Sequence, residues 1–193
     1  MPFMQGLITT FLDTVAMMRL HLPFVLGILA LLWGIQLLNF LLGYRLNLLG
    51  IYPRHPLGLL GIVFSPFLHG NASHLFFNSI PLFLLLNLML TFGFPVFYEV
   101  TAFIIIVSGS LVWLFGRPGF HVGASGLIMG YLAFVLTQAY FSHSPFALIL
   151  GGLGIYYCGG LLLNLLPQEV RTSWEGHVFG FAAGIASYFW LVY

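Results

Sequence analysis

Two short clusters far apart in the chain, Gly123-Ala124-Ser125-Gly126 and Gly176-His177, place a hydroxyl and an imidazole in strongly apolar surroundings. Polar and ionisable groups are costly inside a membrane, so they face a bundle interior or a water-filled cavity and mark functional positions. A serine is a weak nucleophile until a neighbouring base takes its proton, and a base within hydrogen-bond reach supplies about 10²–10⁴ in rate. Ser125 and His177 are of the right types for that pair. Gly123 and Gly126 suit a sharp entry into a helix, which leaves Ser125 at the positive end beside backbone N–H groups without intrahelical acceptors. The same glycines permit a second reading, because Gly126-x-x-x-Gly130 is also a small-residue packing face.

His177 carries the same ambiguity, since Gly176, Gly180 and Gly184 form a small-residue ridge that favours helix association whatever the histidine does. At 100° per residue, Gly180 and Gly184 fall about 60° and about 20° from His177. The ridge that permits close approach therefore also carries the imidazole. A third cluster runs His69-Gly70-Asn71-Ala72-Ser73-His74-Leu75-Phe76-Phe77-Asn78. His74 and Asn78 lie about 40° apart on one helix face, which gives two neutral donors for a single oxygen atom. Donors aimed at the charge of a tetrahedral intermediate are worth about 2.7–4 kcal/mol each. Taken singly, Asn78 could instead bond a neighbouring helix and His74 could cap one.

The elements that must position these groups follow from composition. Of the 193 residues, 61% are hydrophobic and 5% charged, and the mean hydropathy is +1.07. Such a chain is an integral membrane protein. Crossing the roughly 30 Å hydrocarbon core takes about 20 apolar residues as helix. Six spans are expected, near 22–43, 73–92, 95–115, 124–141, 146–166 and 175–193. A transmembrane barrel is excluded because runs such as Leu82–Leu86 and Phe103–Val107 do not alternate. The expected fold is an all-α polytopic membrane helix bundle in one domain, 1–193, with residues 1–21 as a short interfacial helix or unstructured lead. The stretch from Tyr44 to Ala72 is too long for a turn, and its apolar content places it in the interface or dipping into the outer leaflet.

A net charge of +1, from five arginines and no lysine, gives no basic stripe for nucleic acid. The arginines in the loops favour an N-terminus outside. Cys158 is the only cysteine, so neither an internal disulfide nor a multi-cysteine metal site is available. No cofactor is implied. His69, His74 and His121 lack recognisable metal-ligand spacing, and His21, His55 and His143 fall at span ends or in loops. Glu99 and Asn87 are left out of the site, Asn87 lying about 180° from Asn78. Glu175 is about 200° from His177 on an ideal helix, which removes it as a triad acid.

These residues together resemble the rhomboid family of intramembrane serine proteases. The likeness rests on Gly123-Ala124-Ser125-Gly126, on His177 with Gly180 and Gly184, and on His74-Leu75-Phe76-Phe77-Asn78, and it covers about residue 44 to the end. Six spans with a long first loop are similar to the minimal bacterial form. The resemblance implies a Ser125–His177 dyad without an acidic third member, with Asn78, His74 and the Ser125 backbone N–H as the oxyanion hole. It implies cytoplasmic termini, a bacterial inner-membrane location, and transmembrane or juxtamembrane segments of other proteins as substrates. Two departures stand out. Met129 takes the place, four residues after the serine, where the family often has an aromatic that stacks on the histidine, although a thioether also packs against an imidazole edge. Tyr52-Pro53-Arg54 is all that answers a common Trp-Arg pair, which weakens the expected loop anchoring. The alternative function is a non-proteolytic bundle of the same fold that binds membrane segments, or a small transporter. A transporter favours inverted repeats, and none is visible in the sequence.

Overall fold

The computed structural model describes residues 2–142, 152 and 174–192. The fifth expected span, 146–166, together with His143, Cys158 and Arg171, lies outside the described residues. Five longer helices and one short one are seen. Helix α1 runs Pro2–Leu41, α2 Gly61–Phe64, α3 Ala72–Leu90, α4 Phe94–Phe115, α5 Ser125–Ser142 and α6 Trp174–Val192. The Phe11–Leu41 part of α1, with α3, α4 and α5, is long and apolar enough to cross a membrane. Helix α6 has 19 residues, carries Glu175 and His177 near its start, and is not among these four. The architecture is thus an all-α polytopic bundle, with four such spans among the described residues.

One expectation changes at the N-terminus. Residues 2–21 form no separate lead, since α1 continues through them and through Pro23 for 40 residues. Asp13 and Arg19 are the charged residues in a mostly apolar stretch from Phe11 to Leu22, and a proline removes a single ladder bond, which helices in lipid tolerate. The helix ends where Gly43 and Tyr44 both turn left-handed, at φ 62° each.

The segment 44–72 is largely helical. It forms single 3₁₀ turns at Arg45–Leu49, Pro56–Leu59 and Ser65–Phe67 around α2. Leu57, Leu60 and Val63 are exposed, as suits a segment lying in a membrane interface. Asn71 caps α3, its side chain accepting the His74 N–H at 2.7 Å.

Lipid tails are as apolar as leucine, so packing and interhelical hydrogen bonds hold the bundle rather than exclusion from water. Trp33 Nε1 of α1 donates to Ser79 Oγ of α3 at 3.2 Å. Thr101 Oγ1 of α4 pairs with the fully buried Tyr131 hydroxyl of α5 at 2.6 Å. Helices α5 and α6 approach most closely. A Cβ built on Gly180 would lie 2.1 Å from the Gly126 carbonyl oxygen, and one on Gly184 would lie 2.0 Å from that of Gly130. The two small-residue ridges therefore face each other, backbone against backbone.

Candidate active site

The loop 116–124, between α4 and α5, delivers Ser125 to the head of α5. The segment 44–72 holds that loop on one side. Ile51 N donates to the His121 carbonyl at 3.1 Å and His121 N to that of Ile51 at 2.8 Å, forming an isolated antiparallel bridge. Arg54 donates through one terminal nitrogen to the carbonyls of Leu114 and Gly116, both at 3.0 Å. Its own N–H bonds the Trp113 carbonyl at 2.9 Å, and Trp113 Nε1 returns to the His55 carbonyl at 2.9 Å. Arg54 thus binds the carbonyl end of α4 without a neighbouring tryptophan in sequence.

The turn into α5 is tightly specified. Gly123 has φ +129°, a region that side-chain-bearing residues avoid. Its N–H donates to the Ser65 carbonyl at 2.9 Å, and the next N–H, of Ala124, donates to His69 Nε2 at 3.3 Å. A Cβ at Gly123 would sit 2.8 Å from His74 Cε1, 3.0 Å from His74 Nε2 and 3.7 Å from Asn78 Nδ2. His74 and Asn78 thus reach the turn just ahead of Ser125, and the absent side chain leaves room for them. Asn78 Nδ2 is buried without a hydrogen-bond partner among the described residues. A donor in that state is costly unless something occupies the space before it.

Across the groove, His177 stands in the first turn of α6. Its Nε2 lies 2.9 Å from Ser125 Oγ, within hydrogen-bond distance, although the residues are 52 apart in sequence. The opposed glycine ridges make this approach possible. Ile51, Ser65, Ser108, His121, Gly123 and Ser125 line a cleft of about 480 Å³ counted to its open mouth. A profile of the Rhomboid domain matches residues 57–193.

The chain belongs to the rhomboid family. Uncharacterised proteins of Mycobacterium tuberculosis and Mycobacterium bovis are each 39% identical to it over 172 residues, covering 84% of this chain and 72% of theirs. A Mycobacterium leprae relative is 37% identical over 172 residues, covering 84% of this chain and 68% of its own length. With its apolar helices, this rhomboid is an integral, multi-pass membrane protein.

The remaining polar residues and Met129 are placed as follows. Met129 is buried, with 1% exposure, in the core side of α5. Asn87 bonds the Phe83 carbonyl within its own helix at 2.8 Å, and Glu99 is exposed. Helix α6 begins at Trp174, so Glu175 sits in its first turn and pairs with Arg117. His121 lines the cleft, and its Nε2 meets the Arg117 carbonyl at 2.8 Å.

His69 is a residue whose part the sequence did not disclose. It is fully buried, its ring meets that of His74 edge to face at 5.1 Å, and its Nε2 accepts from the Ala124 N–H in the turn ahead of Ser125. Burial, reinforced by the neighbouring His74 and only partly offset by the Phe67 backbone, pulls its pKa down to about 3. The fold therefore excludes a proton that the unfolded chain binds near pH 6.5. Stability from this group is complete above that pH and falls as pH drops from 6.5 toward 3, by at most about 1.4 kcal/mol per unit. Melting temperatures in detergent between pH 7.5 and pH 5 are expected to fall more steeply in the natural protein than in His69→Gln.

Proposed function

We propose that this rhomboid is an intramembrane serine endopeptidase that cleaves transmembrane or juxtamembrane segments through a Ser125–His177 dyad. The observation that carries the reading is the 2.9 Å approach of His177 Nε2 to Ser125 Oγ. In the tautomer with hydrogen on Nδ1, Nε2 takes the Ser125 hydroxyl proton as Oγ attacks the scissile carbonyl. The imidazolium returns that proton to the departing amine, leaving an acyl-enzyme. Water, deprotonated by the same nitrogen, then releases the acid and restores the serine.

Asn78 Nδ2 and His74 stand where the carbonyl oxygen of such a substrate would gather charge, beside the backbone N–H groups at the head of α5. This assigns a use to the orphaned Asn78 donor. Its removal is expected to reduce turnover by about 10²–10³ in Asn78→Ala. His74→Ala is expected to fall in the same range, with substrate affinity little changed in either variant. Single-turnover cleavage at saturating substrate checks both.

A scissile bond inside a helix has its carbonyl tied up by the helix ladder, so segments with helix-breaking residues are the expected substrates. The bacterial inner membrane is the expected site of action. The reading is tested by reconstituting the protein in liposomes with a labelled transmembrane segment that carries a Gly or Pro interruption. Two fragments meeting at one peptide bond are expected. A segment that stays intact, while the protein remains folded, would favour the reading of a non-proteolytic binder of membrane segments.

A further inference from the structure

Between the two halves of the site lies an ion pair that the dyad chemistry does not use. Arg117 Nε and Glu175 Oε1 are in direct contact, Arg117 Nη2 donates to Oε2 at 3.1 Å, and the Arg117 backbone N–H adds a bond to Oε1 at 3.3 Å. The Arg117 guanidinium also lies 5.9 Å from the centre of the Trp174 ring, within cation–π range. We propose that the Arg117–Glu175 pair is a positioning latch, which fixes the serine-bearing loop against the histidine-bearing helix and thereby sets the Ser125–His177 distance. The proposal rests on the proteolytic reading above.

The placement argues for that role. Arg117 opens the loop that ends in Ser125, while Glu175 is two residues before His177. Ile51 and Arg54 tie the loop to the segment 44–72, and Glu175 ties it to α6. At the level of the dyad, α5 and α6 meet through backbone: a Cβ on Gly126 would lie 3.1 Å from the Gly176 carbonyl oxygen. Smooth backbone surfaces bring helices close but supply no interdigitating side chains to stop them sliding. A fork-to-fork guanidinium–carboxylate pair fixes distance and angle together. Only 5% of the Glu175 side chain is exposed, against 47% for Arg117, so the carboxylate is held in the fold and the guanidinium closes over it from the exposed side.

The test follows covalent labelling of Ser125 by a fluorophosphonate over a range of probe concentrations. It uses the full-length natural protein, Glu175→Gln, Glu175→Ala, Arg117→Lys and Arg117→Ala, with thermal unfolding measured in parallel. Misplacement of reacting groups by about 1 Å costs about 10²-fold. Glu175→Ala and Arg117→Ala are accordingly expected to lose about 30- to 100-fold in maximal labelling rate while half-saturation moves by less than about threefold. Glu175→Gln and Arg117→Lys should fall between them and the natural protein. Because Arg117 is accessible, guanidinium ion at tens of millimolar should restore about tenfold to Arg117→Ala and nothing to Glu175→Ala. Unchanged maximal rates in both alanine variants would overturn the latch. So would losses that follow melting temperature and resist guanidinium. Failure of the natural protein to label at all would instead overturn the proteolytic reading, and the latch with it.

Discussion

Ser125→Ala is expected to remove essentially all cleavage, a loss of about 10⁶-fold in a hydrolase whose nucleophile and base act as a unit. The argument starts from the chemistry of the pair. Without Oγ there is no group to form the acyl-enzyme, and without His177 Nε2 at 2.9 Å the hydroxyl keeps its proton near neutral pH. His177→Ala is therefore expected to match Ser125→Ala, and the double variant to be no worse than either. That non-additivity distinguishes a dyad from two residues that contribute separately. Cleavage of a reporter segment in liposomes measures it. Equal activity in Ser125→Ala and the natural protein would reassign the chemistry to another group.

The second large effect is predicted for a residue that touches no substrate. Gly180→Ala adds a Cβ that would meet the Gly126 carbonyl oxygen at 2.1 Å, its carbon at 2.8 Å and its Cα at 2.9 Å. All three are backbone atoms, so no side-chain rotation relieves the clash and the helices must part. Gly126 is bonded to Ser125 in sequence, so parting α6 from α5 also lengthens the contact between Ser125 and His177. A displacement near 1 Å is expected to lower kcat by about 10²-fold, together with about 1–3 kcal/mol of stability typical of overpacking. Ala182, exposed on the same helix, provides the control: Ala182→Leu should leave both quantities nearly unchanged. Cleavage rates and melting temperatures of the two variants decide the point.

Much of the site was legible because glycine spacing on a helix has few uses. The ridge of Gly180 and Gly184 around His177, set against Gly126 and Gly130, anticipated the close approach seen between α5 and α6. The spacing of His74 and Asn78 placed both on one face of α3, where the structure brings them to Gly123. Boundaries of four spans moved by no more than two residues at either end. Other features depended on contacts between segments far apart in the chain, which no local pattern encodes. His69 reaches Ala124 across 55 residues, Arg54 reaches Gly116 across 62, and Arg117 reaches Glu175 across 58.

The N-terminal lead shows a different reason for a missed feature. The first apolar span reads as starting near residue 22, yet the isolated charges of Asp13 and Arg19 do not break helical hydrogen bonding, and α1 runs on through both. Pro23, inside the expected span, is likewise absorbed within α1. The segment 44–72 combined three prolines with apolar residues, a mixture that matches both an open loop and the chain of short helical turns it forms.

The most direct measurement of the central claim is the mass-spectrometric location of a fluorophosphonate adduct on the natural protein, Ser125→Ala and His177→Ala. The account predicts a single adduct on the peptide containing Ser125, none in Ser125→Ala, and labelling slowed by about 10³-fold or more in His177→Ala. An adduct that forms at the natural rate in Ser125→Ala, or that maps to another residue, would contradict it.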